Sequence, residues 1–391
     1  MKRIALLLSL TVCMTTVMAQ TYKMVVRVNN GTAMGFPDGK ITIPVDNITD
    51  IAFEEITNHP QTEATPISFL FKEYYENVTR SPMKRSPAME VRKFGVFGSY
   101  NNGEPLNQDG VSANLMNNQK VTFLDGRWEY YPIKYWPQKV QGNNYASFFA
   151  YSPYADGGSN SFVSVNSESD KPVIEYKSIN PMDDAGELVY GSRINTTKDV
   201  DNGCVTIETK YPLVQLNLNV GLTEDVGENT LGENTKVTIK SVTIGGQIPY
   251  SGQFDLYREQ WINRSEKSLS YTIEGNNLSA ELRDAGETAA ANQPIGATRD
   301  MKPIGVSPIL LIPTDGQKEI TITFDYFVTT DDPFLATGYS RIHNVISKTF
   351  NVALNSGTRY DVRVNLGLTS VSNISISASS WNNTHDSVIN Y

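Results

Sequence analysis

The sequence predicts an all-β fold, and three strongly alternating segments carry that prediction. Apolar residues recur at every second position in 214–220, 320–328 and 360–366, with polar residues between them. Because successive side chains of a strand point to opposite faces, each segment buries one face and exposes the other. Gly, Asn, Asp and Pro separate many short segments of this kind, as in sandwiches and barrels. The chain of 391 residues is too long for one ordinary sandwich, so we expect two in tandem.

The first element is a secretory leader at residues 1–19. Lys2 and Arg3 form a basic start, residues 4–12 are an apolar run, and Ala19 is a small residue before Gln20. This order predicts export, with cleavage between Ala19 and Gln20. The apolar run is shorter than the about 20 residues that a permanent membrane helix needs.

Cys13 provides an alternative interpretation of the leader. Residues 10–13 read Leu-Thr-Val-Cys, which approximates the box in which bacterial lipoproteins are lipidated on cysteine. Val12 is larger than the small residue expected before that cysteine, so cleavage at Ala19 is favoured and lipidation at Cys13 stays as the alternative. Lipidation would anchor the exported protein to the outer membrane.

The remaining chain divides into three parts. Residues 20–66 hold a short N-terminal β segment and a linker, NHPQTEATP. A hairpin alone buries too little to be stable, so this segment should pair with something else. An N-terminal sandwich at 67–225 and a C-terminal sandwich at 226–391 follow, joined near LTEDVGENTLGENTK, which is rich in Gly and acidic residues. Weak helix candidates lie at 69–78 and 278–291.

Charge and cysteine content exclude some classes of protein. The net charge is −9, and it becomes −11 once the leader with its two basic residues is removed. No basic stripe is present, which argues against nucleic acid as a partner. Cleavage at Ala19 leaves Cys204 as the one cysteine, so no internal disulfide is possible. We expect Cys204 to be a small buried residue rather than a reactive thiol.

The segment 128–154 raises the question of what its aromatic side chains do. Ten of its 27 residues are Trp, Tyr or Phe. They form either a surface on which a ligand stacks or the interior of a sandwich. Two prolines favour an edge strand or turn, and aromatic side chains usually serve cores, so the core interpretation is favoured. The candidates for ligand-facing rings are Tyr131, Tyr135 and Trp136.

Both predicted sandwiches contain distinctive motifs. Those of the first are FGVFGSY at 94–100, NLMNNQKVTF at 114–123, WEYYPIKYWP at 128–137 and SFFAYSP at 147–153. Those of the second are KVTIKSVTIGGQIPYSGQFDL at 236–256, ILLIPTDGQKEITITFDY at 309–326, LNSGTRYDVRVNLGL at 354–368 and Trp381. In this order, the motifs resemble the fimbrillin-like family of Bacteroidales, the type V pilins and their relatives. At 211–213, Tyr-Pro-Leu departs from the family's His-Ala-Leu. The resemblance covers most of 67–391 and implies two transthyretin-like sandwiches.

The resemblance also implies a way of assembling. In such pilins a protease cuts after an arginine, an N-terminal strand is removed, and a strand of the next subunit fills the open groove by β-strand addition. The candidate cut sites are Arg80 in NVTRSP and Arg85 in MKRSP, which are equally consistent with an exposed linker. The candidate donor is 370–391, although 373–380 reads at least as well as the last strand of its own domain.

The sequence shows no motif or residue spacing that is typical of an enzyme site or a metal site. None of the three histidines has a second ligand at metal-binding spacing, and no nucleophile elbow or phosphate loop occurs. We therefore expect no enzymatic activity, no cofactor and no metal. The main hypothesis is a fimbrial subunit, tip or anchor at the cell surface whose partners are other subunits. The alternative is a monomeric surface module that binds glycan or protein through exposed aromatic rings.

Overall fold

The computed structural model describes residues 22–28, 48–55, 64–72, 93–106, 111–124, 127–137, 144–156, 162–183, 186–200, 203–222, 235–279, 282, 301–367, 371–380 and 389–390. The chain forms two compact units, Met1–Glu63 and Ala64–Tyr391. In the first unit, β1 (Tyr22–Val28) pairs antiparallel with β2 (Ile48–Glu55), so the predicted short N-terminal β segment is present.

The described residues of the second unit form 21 further strands. In chain order they are β3 Ser68–Lys72, β4 Lys93–Gly103, β5 Met116–Leu124, β6 Arg127–Glu129, β7 Tyr145–Ser152, β8 Val163–Ser164, β9 Val173–Lys177, β10 Val189–Thr196, β11 Cys204–Glu208, β12 Val214–Leu222, β13 Thr235–Gly246, β14 Ser251–Asp255, β15 Gln260–Ile262, β16 Tyr271–Glu274, β17 Lys302–Pro303, β18 Ile309–Leu311, β19 Gln317–Asp331, β20 Tyr339–Ala353, β21 Thr358–Leu366, β22 Val371–Ser380 and β23 Ile389–Asn390. Apart from 3-10 conformation at Gly186 and at Gly275–Asn277, the described residues contain no helix, which confirms the all-β prediction.

A five-stranded sheet with the order β10-β7-β4-β5-β6, called here the central sheet, is covered on both faces. One face packs Phe94 and Phe148 against the parallel pair β3 and β11. The other face packs Phe149 and Tyr151 against the sheet β15-β14-β9-β8. Double coverage explains why seven consecutive residues of β7 are buried and why its sequence, ASFFAYS, lacks a polar face.

The other sandwich consists of two sheets that face each other across a hydrophobic core. One sheet, called here the F sheet, has the order β17-β12-β21-β22-β23, with β18 also paired to β12; the other, called here the G sheet, has the order β16-β13-β19-β20. The three alternating segments of the sequence are β12, β19 and β21, and their apolar positions are buried as predicted. The prediction of an all-β sandwich fold is therefore confirmed.

The F sheet and the sheet β15-β14-β9-β8 each contain strands from before and after residue 225. β12 pairs in parallel with β21 along eight residue pairs, and β9 pairs antiparallel with β14. The chain thus enters the sandwich of the F and G sheets at β12, before the acidic, Gly-rich segment that follows this strand. The proposed division into domains at 225 and 226 does not coincide with a division between sheets, and it stays a prediction.

One of the helix candidates is wrong where the structure describes it. Residues 69–72 belong to β3, whose side chains alternate between buried and exposed. Phe69 and Phe71 pack against the central sheet, and their aromatic side chains suit a strand that buries one face. Of the second candidate, Leu278 bridges Gly305 in an extended conformation, and most of 280–291 lies outside the described residues.

Candidate functional site

The strand β3 fills an apolar groove beside the central sheet. Ile67, Phe69 and Phe71 point inward and are 2%, 5% and 7% exposed, whereas Leu70 points outward and is 39% exposed. Each inward side chain contributes roughly 1.5–3 kcal/mol through burial. The strand is therefore held mainly by three side chains that enter the groove.

Aromatic rings line that groove. Phe71 stacks on Phe94 with ring centroids 4.5 Å apart, and Phe69 makes edge contacts of 5.6 Å with Tyr130 and Phe148. Such contacts add about 0.5–1.5 kcal/mol each beyond burial of area. Without β3, these rings would form an exposed apolar slot of the size of one strand.

The backbone of β3 is bonded on both sides, but to different extents. On one side it runs parallel to β11, from Ser68 opposite Cys204 to Lys72 opposite Glu208. On the other side a short bridge is formed, in which the N–H of Ile67 donates to the carbonyl of Lys134 at 2.8 Å. Removal of β3 would leave the edge of β11 unpaired.

The Tyr130 side chain secures the start of β3. Its hydroxyl donates to the carbonyl of Ile67 at 2.7 Å, and it also contacts Lys134. Burial raises the pKa of Tyr130 above its ordinary value, so the phenol stays neutral and remains a donor.

The position of the predicted processing sites relative to β3 follows from chain order. Arg80 and Arg85 fall between the end of β3 at Lys72 and the start of β4 at Lys93. Both arginines lie outside the described residues, as do Cys13, Ala19 and Gln20 of the leader. A cut after either arginine would separate β3 covalently from every later strand.

The aromatic segment has mostly the core role that was favoured. Tyr130, Trp136, Phe148, Phe149 and Tyr151 are all at most 9% exposed. The prediction that Trp136 faces a ligand is wrong, because Trp136 is 4% exposed and its indole Nε1 donates to the carbonyl of Gly203 at 3.1 Å. A polar atom on a buried ring needs such a partner, and Gly203 supplies it.

Two rings of the same segment do face solvent. Tyr131 is 87% exposed and Tyr135 is 50% exposed, and Ile133 between them is 45% exposed. The buried neighbours Tyr130 and Trp136 fix this loop on either side. The structure thus separates the three candidate ligand-facing residues into two surface rings and one core ring, and ligand binding by the former stays a prediction.

Sequence reasoning missed β3 as a functional element. Its signal was the alternation of Ile67, Phe69 and Phe71, which was obscured because the intervening Leu70 is also apolar. The C-terminal donor candidate begins as a strand of its own sheet, since β22 pairs antiparallel with β21 and Ile389 pairs with Ala378. Residues 381–388 and Tyr391 lie outside the described part.

Further features bear on the other expectations. Cys204 is a free thiol of intermediate exposure at the start of β11. Within the described ranges, no group of three or more His, Cys, Asp or Glu side chains is arranged to hold a metal ion. In that same part of the chain, no helix has the length and hydrophobicity to cross a bilayer.

Comparison with known proteins gives a family and a fold. The family model described as fimbrillin-like matches residues 79–381, more than half of the chain. A fimbrial protein from Bacteroides vulgatus has a similar crystal structure, with a TM-score of 0.61 at 16% identity over 81% of this chain and 99% of its own. A fimbrial assembly protein from Parabacteroides distasonis matches with a TM-score of 0.40 at 11% identity over 84% and 99% of the two chains. No curated protein matches.

The family match spans every strand from β4 to β22, and β3 and β23 lie outside it. It agrees with the resemblance read from the motifs. The chain therefore belongs to the fimbrillin-like family.

Proposed function

We propose that this protein is an exported subunit of a surface fibre, and that β3 is the strand exchanged during assembly. A cut after Arg80 or Arg85 would detach β3, and a strand from another subunit would then occupy the groove lined by Phe94, Tyr130 and Phe148. One observation carries the proposal. Two things join β3 to the later strands, namely non-covalent contacts and the chain segment that contains both arginines.

Physical chemistry favours replacement of β3 over an empty groove. Loss of β3 exposes aromatic rings to water, which is unfavourable, and leaves an edge of β11 whose backbone groups are ready to pair with another strand. A donated strand with apolar residues at alternate positions satisfies both needs at once. The same property would make cleaved subunits without a donor prone to association.

The test is cleavage of the purified mature protein by an arginine-specific protease, followed by N-terminal sequencing and an unboiled denaturing gel. We expect a new N-terminus at Ser81 or Ser86 and a ladder of multimers. The variant Arg80→Ala/Arg85→Ala should give neither, whereas Arg92→Ala, in the same segment, should behave as wild type. Cleaved protein that stays monomeric would refute strand exchange at β3.

Export and anchoring form a separate part of the proposal. We propose that the protein reaches the cell surface through its leader, either cut after Ala19 or lipidated at Cys13. The intact mass of protein from the native surface distinguishes the two, since Gln20 at the N-terminus excludes the lipid and a diacylated Cys13 requires it. A full-length leader retained inside the cell would contradict export.

The exposed rings support a second candidate function, which is binding of a glycan or a host protein. Tyr131 and Tyr135 present flat apolar faces beside Ile133 on a loop fixed by buried neighbours. Ring faces of this kind stack on sugars or fill apolar pockets. Glycan-array and cell-binding signals should fall for Tyr131→Ala/Tyr135→Ala and persist for Phe334→Ala, which removes a 95% exposed ring elsewhere. Equal binding by both variants would dismiss this function.

A further inference from the structure

The strand β20 is a long edge that no described strand covers. It spans 15 residues, Tyr339–Ala353, and forms the outermost strand of the G sheet. Along it, only Val352 is buried. Its pairing with β19 continues from Tyr339 to Ala353 without a bulge, and it contains no proline. Proteins protect edges by bulges, prolines or charges; β20 carries the charges of Arg341 and Lys348 but neither a bulge nor a proline, so its backbone edge is open to a strand that accommodates these two residues.

On the core-facing side of β20, apolar residues alternate with Asn344 and Lys348, and this side is only partly covered. Residues directly opposite each other in an antiparallel pair share a face. Three apolar residues of β20 lie opposite residues that are buried in the core between the F and G sheets, with Ile342 opposite Val328, Ile346 opposite Phe324 and Phe350 opposite Ile320. Nevertheless Ile342 is 59% exposed, and Ile346 and Phe350 are only partly buried. Three apolar side chains of the G sheet therefore extend beyond the part of its face that the described residues cover.

The opposite face of β20 is fixed by side-chain contacts to β19. Thr349 and Ser347 share hydrogen bonds with Thr321 and Thr323 at 2.8 and 2.7 Å, and the guanidinium of Arg341 lies 3.7 Å from the centre of the Phe327 ring. These contacts hold β20 as a regular strand. Every second residue then directs its backbone N–H and C=O away from β19.

We propose that β20 pairs antiparallel with β20 of a second copy, about a two-fold axis at Ile346. Residue 346 is the midpoint of Tyr339–Ala353, so this register uses the whole strand. It places Ile342 opposite the second copy's Phe350, and Ile346 opposite itself. The apolar stripe of one copy thereby continues into that of the other, as in an isologous interface.

Polar residues select this register over its neighbours. With the axis at 346, Lys348 lies opposite Asn344, and Arg341 lies opposite Asn351. With the axis at 345, Lys348 would instead face Ile342 and Asn344 would face Ile346. With the axis at 347, Lys348 would face Ile346 and Asn344 would face Phe350. Burial of a charge against an apolar side chain is unfavourable, so both shifted registers are penalised.

Only the central residue meets its own copy, which gives a sharp test by cross-linking. Paired residues have Cα atoms about 4.5–5.5 Å apart, within disulfide range. In a Cys204→Ser background, Ile346→Cys should form a covalent dimer on oxidation. Ser340→Cys is the matched control, because its two copies would lie about 40 Å apart at about 3.4 Å per residue. Equal cross-linking of the two variants would overturn the proposal.

A non-covalent measurement completes the test and separates it from strand exchange at β3. The full mature chain carrying Arg80→Ala/Arg85→Ala should sediment as a dimer at about 100 µM. Adding Val345→Lys, at a 61% exposed position of β20, should weaken dimerisation about tenfold or more by like-charge repulsion. Val306→Lys, equally 61% exposed outside β20, should leave the dimer intact. A monomeric parent chain, or equal loss in both lysine variants, would overturn the proposal.

Discussion

The indole Nε1 of Trp136 donates a 3.1 Å hydrogen bond to the backbone carbonyl of Gly203, 67 residues later in the chain. The same carbonyl accepts the backbone N–H of Ser68 at 3.0 Å and its hydroxyl at 3.2 Å. One carbonyl thus joins the aromatic loop, the beginning of β3 and the turn before β11. This junction closes one end of the groove in which β3 lies.

Replacement of Trp136 tests that junction. Trp136→Phe keeps much of the ring but removes the donor, and we expect a loss of about 1–2 kcal/mol in the free energy of unfolding. Trp136→Ala also leaves a cavity beside Phe148 and should cost about 3–5 kcal/mol. Urea denaturation measures both. Tyr131→Ala, which alters an 87% exposed ring, should change stability by less than about 0.5 kcal/mol, and an equal effect there would contradict the assignment.

Replacement of Phe69 tests how β3 is retained. Phe69→Ala removes edge contacts to three rings and should cost about 3–5 kcal/mol in the uncut protein. Leu70→Ala, on the outward face of the same strand, should cost much less.

The same pair of variants can be compared after cleavage with an arginine-specific protease. We expect the fragment that carries β3 to leave the body faster in Phe69→Ala than in wild type, as measured by gel filtration. Leu70→Ala should retain the fragment as wild type does. Identical release from both variants would show that the inward face of β3 does not hold it.

Gly191 marks a close approach between β10 and β11. A Cβ at this position would overlap the backbone carbonyl oxygen of Glu208 and lie 2.7 Å from Ile207 Cγ2. Backbone cannot yield as a side-chain tip can, so Gly191→Ala should destabilise by at least about 1–3 kcal/mol. Gly245→Ala is the control, because its nearest neighbour would be at 3.8 Å. Thermal unfolding of the two variants should differ, and matching midpoints would disprove the close approach.

Asp325 should make stability depend on pH in the acid range. Burial works to raise its pKa, but hydrogen bonds from His343 and from Lys240, the latter at 3.1 Å, outweigh burial and hold the pKa below its usual range. A lowered folded-state pKa contributes stability above the unfolded value of about 3.9, and this stability is lost as pH falls through the folded value.

Asp325→Asn removes the titrating group, so the variant should lose less unfolding free energy than wild type between about pH 5 and pH 2. The effect at neutral pH should be about 1 kcal/mol or less, because the pair is near the surface. Urea unfolding across this range is the measurement, with Asp331→Asn, an exposed carboxylate at the end of the same strand, as the control. Parallel profiles for wild type and Asp325→Asn would be the contrary result.

Periodicity in the sequence was sufficient wherever a strand buries one face. The segments that became β12, β19 and β21 have buried positions at Leu216, Phe324 and Val362, as their alternation predicted. Periodicity was insufficient for β7, where both faces are buried, and for β3, where an outward Leu70 hid the pattern. In both cases, the strands that pack against the segment come from distant parts of the chain.

The sequence by itself determined the all-β class, the family, and the core role of most aromatic residues, because period-two patterns and ring size act locally. The tertiary structure alone decided that Trp136 is buried whereas Tyr131 and Tyr135 are exposed. Burial of Trp136 depends on a hydrogen bond from its indole to the carbonyl of Gly203, which is distant in the chain. It alone decided that β12 joins β21 across the proposed boundary, and that β20 is left as an edge. Strand order is set by long-range pairing, and the alternation within one strand does not specify which strand lies beside it.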